Sequence, residues 1–220
     1  MKFVISYSGG KDSALSLHKM LEAGNDPIGL LVMINRDMQR SWFHGVDIHM
    51  LKQISRSLEI PLIMCESAGE DYHTALEDGL KRAKQAGAEA CAFGDIDIEG
   101  HREWCIQRCE AVGLKCVHPL WHKDHEENTK EIISLGYQCL IKCIKNEALS
   151  KDFLGKVLDF AVVEQMKKRN IDICGENGEY HTVVVDGPIF KHPISYECKE
   201  VLDFGNISAI NICTSMESFV

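Results

Sequence analysis

The sequence predicts an α/β fold, a doubly wound parallel sheet followed by a smaller α+β subdomain, and three observations carry that expectation. Four short apolar runs lack the polar alternation of a half-exposed strand. The stretches between them repeat apolar residues every three to four positions, and the two kinds of segment alternate regularly over the first half of the chain.

The first run is Phe3, Val4 and Ile5, and residues 28–34, 62–65 and 90–93 supply the next three strands. Having no polar face, each is suited to burial on both sides, as in a parallel sheet covered by helices. Residues 13–21 place Leu15, Leu17, His18 and Leu21 near one helical face, 46–58 and 72–86 keep the same spacing, and a fourth helix is expected over 100–112. In such a sheet, ligands bind beyond the C-terminal ends of the strands. After Pro119, Leu120 and Trp121 the pattern changes. One long helix is expected over 153–168, and short segments at 180–185, 196–204 and 208–213 suit hairpins. The polar stretch 122–128 places a boundary near residue 122, dividing the doubly wound part, 1–122, from a C-terminal part, 123–220.

The 220 residues are 45% hydrophobic, enough for a sizeable core, which excludes the disordered and fibrous classes. Lys and Arg total 24 against 33 Asp and Glu, a formal net charge of −9, so general attraction to nucleic acid or an anionic membrane is not expected. No apolar stretch approaches the ~20 residues of a membrane span, and the N-terminus turns glycine-rich too early for a secretory leader. The ten cysteines are therefore expected to be reduced, in a cytoplasmic protein, and a homo-oligomer is compatible with this composition. Cys105 and Cys109, four apart, could share a helical face and bind a metal, but their commoner role is that of small buried hydrophobes. His118, His122 and His125 flank the proposed boundary and suggest zinc, although no clear fourth ligand accompanies them.

The strongest local signal is Ser8, Gly9, Gly10, Lys11, Asp12 and Ser13, directly after the first strand and directly before the first helix. Two glycines let backbone N–H groups approach a phosphate, and the helix N-terminus adds a favourable dipole. Ser8 and Ser13 offer hydroxyls, Lys11 brings positive charge, and Asp12 can hold a metal or cap the helix. The spacing is not that of a Walker A motif. Asp95 ends the fourth strand behind Gly94, at the ligand-binding edge, and is a second candidate for metal or substrate. Asp97, Glu99, His101 and Arg102 follow as a polar cluster suited to substrate recognition, while Trp42, His44 and Gly45 come after the second strand, near the same edge. In the C-terminal part, Glu176 and Glu179 stand three apart on a glycine-flanked turn with His181 beyond them, a set able to hold a cation or exchange a proton.

The SGGKDS segment resembles the pyrophosphate loop of the PP-loop ATP pyrophosphatases, which split ATP between its α and β phosphates. The block GENGEYHT, 175–182, narrows this. Together with Trp42 to Gly45, Phe93 to Ile96 and Pro119 to Trp121, in this order along the chain, it resembles the diphthine-ammonia ligase family. That resemblance implies that ATP with Mg²⁺ activates a carboxylate as its acyl-adenylate and that ammonia then displaces AMP. It implies an ATP site from Ser8 to Ser13 and catalytic roles for Lys11, Asp12, Glu176, Glu179 and His181. It implies acceptor contacts from His44, Gly45, Asp95, His101 and Arg102, with Asp12 and Asp95 holding the metal.

Three departures fall in the implied acceptor pocket and leave the nucleotide loop unchanged. Asn177 stands where the diphthine-modifying branch usually has Gly, His181 where it has Glu, and the segment 99–104 differs. They resemble a bacterial branch, which leaves the acceptor open between diphthine and a small carboxylate. Two other readings are a PP-loop sulfurtransferase acting on tRNA, for which no Cys-x-x-Cys and no basic stripe are present, and a non-catalytic ATP-binding sensor.

Overall fold

The computed structural model describes residues 1–214. The first part is built from strands β1 (Lys2–Ser6), β2 (Asp26–Asn35), β3 (Arg40–Ser41), β4 (Leu62–Ser67), β5 (Ala90–Ala92) and β6 (Lys115–Val117), with helices α1 (Lys11–Glu22), α2 (Ile48–Leu58), α3 (Tyr72–Gln85) and α4 (Glu99–Val112) between them. The parallel strands run β4-β2-β1-β5-β6, and the two-residue β3 adds an antiparallel pair at the end of β2.

Burial on both faces explains the unbroken apolar runs. On β1, Phe3 and Ile5 enter one core while Val4 enters another, and on β2 Leu30, Val32 and Ile34 join the first while Leu31 and Met33 join the second. The first core is closed by Leu15 and Leu17 of α1 and Leu51 and Ile54 of α2, the second by Leu76 and Leu80 of α3 and Cys105 and Cys109 of α4. Cys109 thus fills space as a small hydrophobe, while Cys105 also faces Asp95 at 3.7 Å. The doubly wound expectation stands.

The second part holds α5 (His125–Ser134), β7 (Gln138–Lys145), α6 (Phe160–Lys167), β8 (Tyr180–Asp186), β9 (Tyr196–Asp203) and β10 (Ile207–Thr214). Its strands form a separate antiparallel sheet in the order β8-β7-β10-β9. The same hydrophobic cluster that contains Phe3 and Leu51 continues through Leu140, Val162 and Val183, so the two parts share one core.

The long helix expected over 153–168 is shorter. Lys151–Phe153 is a 3₁₀ turn, Gly155 takes a left-handed φ of +78°, and the Ile141 amide donates to the Lys156 carbonyl. The segment is held as an extended neighbour of β7, and the helix starts only after Asp159, whose carboxylate accepts from the Val162 amide. Strands β6 and β7 and helix α5 are additions to the expected elements. Helix α5 begins at Asp124, whose side chain accepts from the amides of Glu126 and Glu127. Asp124→Ala should therefore cost about 1 kcal/mol, a fall of roughly 2–4 °C in a thermal melt. Among the described residues no helix is long and apolar enough to cross a membrane, and all ten cysteines are free thiols.

Candidate active site

The winding of the sheet reverses between β1 and β5, and a crevice forms beyond their C-terminal ends. Two loops meet there. A Cβ on Gly94 would stand 3.1 Å from the Asp12 carbonyl carbon and from the Ser13 nitrogen, so glycine allows the loop after β5 to lie against the start of α1. Strand β8 closes the third side. The Val184 amide donates to the Gly9 carbonyl at 2.8 Å, and the Lys11 amide donates to Thr182 Oγ1 at 3.0 Å.

The resulting cleft has a volume of about 370 Å³. Its walls bring together Ser8, Lys11, Asp12 and Ser13 from the glycine loop and the start of α1, His44 and Asp95 from the sheet edge, His101 from α4, and Glu176 and His181 from the C-terminal part. Cys174, Tyr180 and Thr182 also line it, and the sequence reading assigned them no role. Thr182 and Tyr180 lie within the block carrying the resemblance, and Cys174 immediately precedes it, so adjacency was the available signal.

Five expected residues do not line the cleft. Gly9 supplies a turn at φ +86° and a carbonyl for β8, and Gly45 another at φ +60°. Gly10 gives room to His44, whose Cε1 would lie 2.3 Å from an added Cβ. Because Gly10 has φ −87°, alanine is sterically allowed by the backbone there, and a substitution reports the contact together with a smaller loss at the N-cap of α1. Gly10→Ala should displace the His44 ring from the Thr182 carbonyl, 2.9 Å from Nδ1, and cost about 1–3 kcal/mol in denaturant unfolding. Arg102 turns away to Glu99, at 3.0 Å, and over the Trp121 ring, at 4.9 Å. Glu179 lies behind the wall, where its carbonyl accepts from the Lys145 amide and one carboxylate oxygen is buried without a partner.

The zinc set suggested by His118, His122 and His125 does not assemble. His125 is held between Asp172 and Asp97, at 2.9 and 3.0 Å, His122 rests against Trp121, and His118 stacks on Phe93 beside Asp95. The chain bends between them at His122, in a left-handed conformation of φ +57°.

Charge in the cleft is tightly arranged. Lys11 is buried with Nζ 2.8 and 2.7 Å from the two Asp12 oxygens, 3.6 Å from Cys174 Sγ and 5.8 Å from the centre of the Tyr180 ring. Burial alone would lower its pKa, but Asp12, Cys174 and Tyr180 together hold it well above the usual lysine value. Burial pushes the Cys174 thiol up to about 12, so at neutral pH it is protonated. It also lowers both His44 and His181, the latter to about 3, because mutual repulsion between the two rings and the Lys11 ammonium add to burial in opposing its protonation. The two rings face each other with centres 4.6 Å apart, both neutral. A pKa this low makes His181 a weaker base than its reference value suggests. Glu176 moves the other way: burial, then the Asp12 carboxylate, raises it to about 7.

The chain matches family models over most of its length, the diphthamide synthase N-terminal domain at residues 1–116 and the C-terminal domain at 124–212. Similar curated proteins include the human diphthine-ammonia ligase, 28% identical over 92% of this chain and 85% of that protein. Another is the diphthine-ammonia ligase of Schizosaccharomyces pombe, 26% identical over 92% of this chain and 37% of that one. A solved structure, a predicted tRNA methyltransferase subunit from Methanocaldococcus jannaschii, aligns with a TM-score of 0.46 at 14% identity, over 85% of this chain and 98% of its own. With both family models matched in order, one spanning the glycine loop and the other the turn that carries Glu176, this chain belongs to the diphthamide synthase family.

Proposed function

We propose that this protein is an ATP-dependent ligase that converts a carboxylate to an amide with ammonia, releasing AMP and pyrophosphate. In the first half-reaction a carboxylate oxygen attacks the α-phosphorus of ATP and the bond to pyrophosphate breaks. In the second, ammonia attacks the acyl carbon, AMP leaves, and one proton passes to a base. The observation that carries this reading is the juxtaposition in one cleft of the SGGKDS loop at the α1 N-terminus and a carboxyl raised to about 7 on the opposite wall.

The residues fit ATP at one end of the cleft. Ser8 and Ser13 present hydroxyls, Lys11 is the buried cation, and the N-terminus of α1 adds its dipole. Asp12, whose side chain is 28% exposed, offers the hard oxygen donors that Mg²⁺ takes. When bound, Mg²⁺ would offset charge growing on the leaving pyrophosphate. Asp95 suits that ion less well, because its Oδ2 faces Cys105 Sγ at 3.7 Å and His118 Nε2 at 3.8 Å, sulfur and nitrogen rather than oxygen.

Among the three groups considered as base, Glu176 takes the role. It lines the cleft with its pKa raised to about 7, whereas burial leaves His181 a weak base with a pKa of about 3, and Glu179 lies outside. The acceptor enters through an adjoining pocket walled by Met33, Phe43, Tyr72, Leu76 and Trp104, an apolar lining suited to the hydrocarbon part of a small carboxylate. The sulfurtransferase reading would need a thiolate in the cleft, and Cys174 is held as a thiol.

The test measures nucleotide products from Mg-ATP and ammonium with a pool of small carboxylates or, separately, diphthine-bearing elongation factor 2. AMP with pyrophosphate, dependent on the small-carboxylate pool, is the expected result. Dependence on the elongation factor instead would replace the acceptor, ADP with phosphate would reject adenylation, and ATP binding without turnover in either pool would favour a sensor.

A further inference from the structure

Three side chains from separate elements converge behind the cleft. Asp95 follows β5, Cys105 lies on α4 and His118 follows β6, and their donor atoms all lie within 4.8 Å of one another. Asp95 Oδ2 is 3.7 Å from Cys105 Sγ and 3.8 Å from His118 Nε2. A tetrahedral ion with Zn–S near 2.3 Å and Zn–N or Zn–O near 2.0–2.2 Å spaces its donors roughly 3.3–3.7 Å apart. The two Asp95 separations need only small adjustments to reach that geometry, and the Cys105–His118 pair lies within 4.8 Å.

A second observation points the same way. The His118 side chain is 6% exposed, and its Nε2 is buried without a hydrogen-bond partner although it faces Asp95. Its ring is fixed: Phe93 stacks on it with centres 5.6 Å apart, and Cys116 Sγ lies 3.8 Å from Nδ1. A ring so held, with one nitrogen partnered and the other free, is the arrangement that outer contacts give a metal-binding imidazole. A packed core has no use for an unmade hydrogen bond at this depth.

We propose that Asp95, Cys105 and His118 form a three-ligand site for a borderline-soft divalent metal, Zn²⁺ first, in the wall between the nucleotide cleft and the adjoining apolar pocket. A mixed sulfur, nitrogen and oxygen set selects Zn²⁺ or Co²⁺ over Mg²⁺. Asp95 and Cys105 both line the apolar pocket, so the fourth position opens toward it and takes a water molecule. On binding, the Cys105 S–H bond breaks, its proton passes to solvent and the metal–sulfur bond forms, with the metal remaining divalent. The site does not depend on the ligase reading, and its test does not use activity.

The full chain, stripped with chelator, is titrated with Co²⁺ and then with Zn²⁺. About one Co²⁺ per chain should bind, with a thiolate-to-cobalt charge-transfer band in the near ultraviolet and tetrahedral visible bands that Zn²⁺ abolishes and excess Mg²⁺ does not. Cys105→Ser should lose the charge-transfer band. His118→Gln, which leaves the thiol in place, should weaken binding by about 100-fold or more. Cys198→Ser, on an exposed position of β9, is the control and should match the wild type. Failure of the folded wild type to take up Co²⁺ or Zn²⁺ would overturn the site. So would a charge-transfer band that persists in Cys105→Ser, or a folded His118→Gln that binds as tightly as the wild type.

Discussion

Lys11→Ala is expected to lower kcat/KM for ATP by about 10²–10³-fold, because it removes the buried cation at the start of α1 where charge grows on the leaving pyrophosphate. Steady-state pyrophosphate release measures it. The same substitution has a structural cost that must be separated from the catalytic one. It leaves the Asp12 carboxylate, now 2.7 and 2.8 Å from the ammonium, beside Glu176 without a counter-charge. Since Asp12 keeps 28% exposure, that cost is roughly 1–3 kcal/mol rather than the larger penalty of a fully buried orphan charge. Lys11→Ala/Asp12→Ala removes the orphan and should recover part of the stability but none of the activity. Recovery of turnover in the double variant would reduce Lys11 to a partner for Asp12 and sink its assignment to the phosphates.

The glycine loop was legible because everything it needs is local: a strand, two glycines, a lysine and a helix start within a few residues. What makes it a site comes from far away. The Lys11 amide is held by Thr182, 171 positions along the chain, and no periodicity announces such a contact. Burial also reverses chemistry that residue type alone suggests. His181 was a reasonable base by its reference pKa, yet a dry position beside His44 leaves it neutral. The same logic governs the fold. Strands β1, β2, β4 and β5 were readable as unbroken apolar runs, whereas β7 hides a lysine in its centre: Lys142 is buried and donates to the Ile210 carbonyl at 2.5 Å. Helix α5 was missed because its buried face includes Asn128 and Thr129 beside Ile132, a stripe that reads as loop.

Glu176→Gln should cut amide formation by about 10²–10⁴-fold at mildly alkaline pH, and it should also change the pH profile. In the wild type, kcat/KM for ammonium is expected to rise through an apparent pKa of about 7 as Glu176 ionises and becomes able to hold ammonium and take its proton. Burial contributes most to this value, Asp12, Asp95 and Asp97 also favour the protonated form, and Lys11 opposes them. Gln cannot ionise, so the limb near 7 should vanish, leaving the rise that belongs to ammonium itself.

The stability sign is opposite. A carboxyl whose pKa is 4.5 in the unfolded chain and about 7 when folded stabilises the native state below 4.5, and that contribution is lost as pH climbs to 7. Gln carries no such penalty, so the variant should be more stable than the wild type above neutrality, by roughly 1–3 kcal/mol. Greater stability with lost turnover is the signature of a strained catalytic carboxyl, and a merely structural glutamate would not give both. If the limb near 7 survives in Glu176→Gln, neither other candidate inherits the role easily. His181 is already neutral above about 3, and Glu179 has no wall in the cleft. Such a result would move proton acceptance from the protein to the displaced AMP phosphate.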